Sequence, residues 1–72
     1  LMFPSLSNTA NVLIQRVTRL RSGSYQTPPA MVISELNELS RKCTESDWSN
    51  PNLQAAQRFI ELWEAEGKWQ NL

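Results

Sequence analysis

Residues 51–66, PNLQAAQRFIELWEAE, decide the fold. Asn50 precedes them with a side-chain oxygen that can accept a bond from a free N–H of a first helical turn. Pro51 then takes the first helical position, where a missing N–H costs nothing and a fixed φ helps. Gly67 follows and can take the left-handed conformation that closes a helix. Both ends read as helix ends. At about 100° per residue, Leu53, Ile60, Ala56, Trp63, Phe59, Ala55 and Leu62 fall in that order around roughly half the circumference. Gln54, Arg58, Glu61 and Ala65 take the other side. A helix with one neighbour needs an apolar stripe only about 100° wide. The wider arc predicts a central helix that touches two neighbours, or one neighbour and an outside partner.

Upstream, Ser7 or Asn8 can cap a helix over residues 8–21. Ala10, Leu13, Ile14, Val17 and Leu20 recur at helical spacing and form its inward stripe. Val12, Arg16 and Arg19 point away, and Gly23 marks the stop. Thr27-Pro28-Pro29 then reads as the cap and first turn of a helix over residues 28–43. Val32, Leu36, Leu39 and Cys43 form its stripe, with Met31 and Ile33 flanking it. Capping explains Thr27-Pro28 without phosphorylation. Glu38 lies four residues before Lys42, a spacing that favours an ion pair on an exposed face. Thr44-Glu45-Ser46-Asp47 has the shape of a capping box before one further turn at residues 45–49.

The expected fold is therefore all-α, a small three-helix bundle with room for one extra short turn and with the C-terminal helix central. Its 72 residues make one domain, with an apolar leader at 1–6 and a tail at 68–72. Phe3 is expected to tuck against the core and Tyr25 to lay its ring on a core edge. Trp69 and Leu72 are spaced to fold back over the bundle end. The short connections favour antiparallel neighbours. A core this size rarely supplies more than ~3–5 kcal/mol without staples. Cys43 has no cysteine to pair with, and the chain holds no His.

Several function classes are disfavoured by composition. Without His the commonest general base is missing. Cys43 falls on an inward stripe, where it serves as a small apolar residue rather than a nucleophile. Glu61 and Glu64 share a face, but a solvated acidic face explains them. Two glycines cannot make a phosphate-cradling loop. We expect no enzyme activity, no cofactor and no metal site. No apolar run approaches the ~18 residues of a membrane span. One cysteine and no glycosylation sequon fit an intracellular setting, cytoplasm or nucleus.

What remains is binding. Three Trp, one Tyr and two Phe are many aromatics for this length. Trp and Arg are over-represented at binding hot spots. The expected role is a protein–protein interaction or assembly module of a larger intracellular protein, taking a partner helix or peptide, or a second copy, on an apolar and aromatic surface. Its candidate residues are Trp48, Phe59, Leu62, Met31 and Trp69. The alternative is a nucleic-acid-binding domain using the basic face of the first helix, with Arg16, Arg19, Arg41 and Lys42 as contacts. Seven acids balance seven bases, which weakens that alternative, because nucleic-acid readers usually carry a basic excess.

Overall fold

The structure is a computed structural model describing residues 5–23 and 27–70, with side chains through residue 66. Within these, α1 spans Asn8–Ser22, α2 Ala30–Lys42, α3 Glu45–Trp48 and α4 Pro51–Gln70. No strand occurs among the described residues. The expected all-α architecture is present, with three long helices and one single-turn helix. Phe3, Tyr25 and Leu72 lie outside the described residues, and so does the side chain of Trp69.

The caps explain most of the boundaries. Ser7 takes an extended conformation and its hydroxyl accepts from the Ala10 N–H, which opens α1. Thr44 and Asp47 form the reciprocal capping box that opens α3. The Asn50 side chain accepts from the Asn52 N–H at 2.8 Å, which opens α4.

Two expected boundaries are corrected. Helix α2 begins at Ala30, with no side-chain cap bond, rather than after Thr27. The reason is the double proline. Pro29 disfavours the helical region for Pro28 before it, so the turn cannot start there. Pro29 itself is extended at ψ 154°, and its carbonyl takes the first helical bond from the Ile33 N–H. The Thr27 hydroxyl donates instead to Glu66 at 2.7 Å.

The second correction concerns Gly67. It does not end α4, which runs on to Gln70 with no left-handed glycine. Residues 68–70 are thus helical rather than a returning tail. Glycine permits a left-handed closure but does not impose one, and nothing in Lys68, Trp69 or Gln70 breaks a helix. Gly23 stops α1 as expected, yet also without a left-handed turn, at φ −82° and ψ −179°. A glycine inside a helix costs about 1 kcal/mol relative to alanine. Gly67→Ala should therefore raise stability by roughly 0.5–1 kcal/mol in a urea melt. A left-handed Gly67 would give the opposite sign.

The topology follows from the contacts between helices. Ser40 Oγ donates to Gln57 Oε1 at 2.8 Å, and Asn37 Nδ2 donates to Glu64 Oε2 at 2.7 Å. Together with Thr27 and Glu66, these pairs run in opposite senses, so α2 and α4 are antiparallel. Ile14, Val17 and Thr18 lie beside Asn52, Ala55 and Ala56, and Arg21 lies beside Phe59. These pairs run in the same sense, so α1 and α4 are parallel. Helix α4 contacts α1, α2 and α3, and is the central element.

The core joins Ala10, Leu13 and Val17 of α1 to Ile33 and Leu36 of α2 and to Leu53, Ala56, Ile60 and Trp63 of α4. Ile33, expected at the stripe edge, is inside, while Val32, Leu39 and Cys43 are half-covered. The stripe of α2 is thus rotated toward α4. The Glu38–Lys42 pair is not closed; the ion pair among the described residues is Arg16–Glu35 at 3.7 Å.

Candidate functional site

The apolar arc of α4 is only partly covered by its neighbours. Leu53, Ala56, Ile60 and Trp63 are buried, and Phe59 is half-covered against the core. Ala55 and Leu62, at the far end of the arc, are exposed, with Leu62 at 53%. Ala55, Arg58, Phe59 and Leu62 line one shallow depression. Their spacing of three, four and seven residues places them on one face across two turns. The depression adjoins a groove between α1 and α4 lined by Ile14, Val17, Thr18, Arg21, Asn52, Ala55 and Ala56.

Phe59 holds the site together. Its ring meets that of Trp63 at a centroid distance of 5.9 Å and a tilt of 43°. On the outer side, the Arg21 guanidinium lies 3.9 Å from the Phe59 ring centroid. The ring is thus backed by the core and roofed by a cation, a favourable arrangement for its negative face. Arg21, Arg58 and Ala55 were not singled out as binding residues by the sequence. Arg21 sits in the last turn of α1, where the helix dipole alone favours a cation, and Arg58 falls on the polar side of α4. Only the parallel packing of α1 on α4 brings Arg21 to Phe59.

The other candidates are placed elsewhere. Met31 is 75% exposed and outside the depression. It lies about 140° around α2 from the buried Leu36. Trp48 packs partly against the core at the α3 corner, where its carbonyl accepts from Gln54 Nε2 at 2.8 Å. The four basic residues proposed for nucleic acid do not form one surface. Arg16 and Arg19 flank a groove with Leu20, Val32, Glu35 and Leu36, toward the start of α2. Arg41 and Lys42 lie in the last turn of α2, at the opposite end of the antiparallel pair.

Two further polar centres have structural explanations. Asp47 is 1% exposed, and its carboxylate accepts three bonds. They come from the Ser7 N–H and hydroxyl at 2.8 and 2.7 Å and the Thr44 N–H at 2.8 Å, with its own N–H bonded to Thr44 Oγ1 at 3.2 Å completing the box. The three donors to its carboxylate hold its pKa down at about 2, the Ser7 and Thr44 backbone bonds foremost. The Cys43 thiol is pushed up by burial and then by the Asp47 charge, so the neutral thiol is favoured. Its Sγ donates to the Leu39 carbonyl at 3.3 Å. Among the described residues no three metal-capable side chains gather, and no helix is long and apolar enough to cross a membrane.

No protein-family model matches this chain, no curated protein matches it in sequence, and no solved structure matches it in fold.

Proposed function

We propose that this domain is a protein-interaction module whose docking surface is the outer face of α4, centred on Phe59 and Leu62. The observation that carries the reading is the exposure of Leu62 at the end of an apolar arc that two helical neighbours fail to cover. A single exposed leucine is ordinary on a protein surface. Here it lines a depression with Ala55 and a half-covered Phe59. The ring and the leucine, three residues apart, match the spacing with which one helix seats another. Trp48 and Met31 fall outside this face. Trp48 is better explained as a corner anchor, and Met31 as an isolated exposed side chain.

The test uses the 72-residue chain as bait. Leu62→Gln removes the apolar anchor while keeping a residue compatible with helix. The wild type should retain a partner that Leu62→Gln releases, with the thermal midpoints of the two within a few degrees. A stable monomer that retains no partner removes the reading. Retention that is equal in the variant moves the site off α4.

A further inference from the structure

The one charged side chain among those lining the Phe59–Leu62 depression is an arginine. Arg58 lines it directly, and Arg21 roofs Phe59 from α1. Arg19, two residues before Arg21 and so about 200° around α1 from it, lines a separate shallow depression with Ile14, Gln15, Thr18 and Ser22. Helix α1 carries three arginines and no acid. Arg19, Arg21 and Arg58 form no ion pair among the described residues, whereas Arg16 is engaged by Glu35.

Two of the three described carboxylates of α4 lie away from this rim. Glu64 accepts from Asn37 and Glu61 from Gln57 at 3.4 Å, while Gln57 is itself bonded to Ser40. Glu61 and Glu64 thus stand on the α2 side of the helix. Glu66 lies one turn beyond Leu62 on the same face, outside the depression, and its carboxylate accepts from the Thr27 hydroxyl. A chain with no net charge therefore presents an apolar patch edged by the Arg58 and Arg21 guanidinium groups, with Glu61 and Glu64 turned away from it toward α2.

Resting on the reading above, we propose that the occupant is an acidic amphipathic helix: apolar anchors three or four residues apart, flanked by Asp or Glu. Two turns of α4, from Ala55 to Leu62, span about 10 Å at 1.5 Å per residue. The partner therefore needs two to three turns to cover them. One apolar anchor sits over Leu62 and Ala55, and the next presses against the edge of Phe59. A carboxylate on one flank reaches Arg58, and one on the other reaches Arg21. Guanidinium binds carboxylate through a planar fork, which fixes the partner's orientation as well as attracting it. Arg21 has a second part to play. In the free domain it shields the Phe59 ring, and such stacking at an exposed site is weak. A partner carboxylate draws the guanidinium aside and opens the ring to the incoming anchor.

The test is a selection from a library of helical peptides about 15 residues long. Apolar positions are held at helical spacing and the flanking positions are randomised among Asp, Glu, Lys, Arg, Ser and Gln. Enriched peptides should carry a clear acidic excess at the flanks. Their affinity should fall at least about tenfold for Arg58→Glu and for Arg21→Glu. It should also fall between 50 mM and 1 M salt, where the screening length shrinks to about 3 Å. Selection on Arg21→Glu/Arg58→Glu should enrich basic flanks instead.

Peptides that need Leu62 but show no acidic excess would overturn the charge assignment and leave the α4 docking face standing. Enrichment of peptides indifferent to Leu62→Gln, or no enrichment, would overturn both. A wild-type domain that sediments as a dimer, reverting to monomer in Leu62→Gln, would assign the face to a second copy and overturn the acidic partner.

Discussion

Ile60→Ala should leave the domain largely unfolded at 25 °C. Ile60 is 0% exposed and lies midway along the central helix, in the cluster that joins α1, α2 and α4. Truncating a buried isoleucine to alanine costs about 2–5 kcal/mol, part lost transfer and part residual cavity. A core of this size supplies about 3–5 kcal/mol in total. The loss and the reserve are therefore of the same size. Loss of helical circular dichroism at low urea, with a midpoint near zero denaturant, is the expected record. Leu62→Ala is the control, two residues further along the same helix. Its side chain is exposed, so the change should stay within about 0.5 kcal/mol. Comparable losses in the two variants would mean that α4 is seated with a different face inward. The docking surface would then be misplaced as well.

Asp47 is the second sensitive position, and its effect depends on pH. Its carboxylate joins the N-cap of α1 to the capping box of α3, forty residues away in sequence. In Asp47→Ala, the donors of Ser7 and Thr44 lose their buried acceptor, a worse outcome than never having placed them there. The thermal midpoint should fall on the order of 10 °C for a domain this small. Because the folded pKa is lowered from 3.8 to about 2, the unfolded chain binds the proton more readily between those values. The stabilisation is thus complete above about pH 4 and is lost as pH falls toward 2. Subtracting the acid melt of Asp47→Asn from that of the wild type isolates this contribution. A difference that stays constant from pH 5 to pH 2 would mean that the carboxylate is not held ionised by Ser7 and Thr44.

Sequence legibility divided along the range of the interactions. The capping signals at Ser7, Thr44 and Asn50 were readable because each acts within three residues of itself. The apolar stripe of α1 was readable because its period reflects one buried face. Thr27 was misread as a cap because the same hydroxyl has a long-range acceptor in Glu66, and because two prolines together delay a helix that one would start. Gly67 reads as a stop in the sequence, yet glycine permits a left-handed closure without requiring one, and α4 continues through it. The role of Asp47 was half legible. The box with Thr44 is local, whereas the bonds from Ser7 need α1 and α3 to meet.

The candidate site shows the same division. The width of the apolar arc on α4 can be counted from spacing alone, and it implied that the helix would be central. Which end of that arc stays open is a different kind of fact. It depends on α1 lying parallel to α4 and covering Phe59 but not Leu62, and on α2 turning Ile33 rather than Met31 inward. Arg21 reaches Phe59 for the same reason. Periodicity records how much surface a helix must hide. Only packing decides which neighbour hides it, and therefore which residues and which charges are left facing outward.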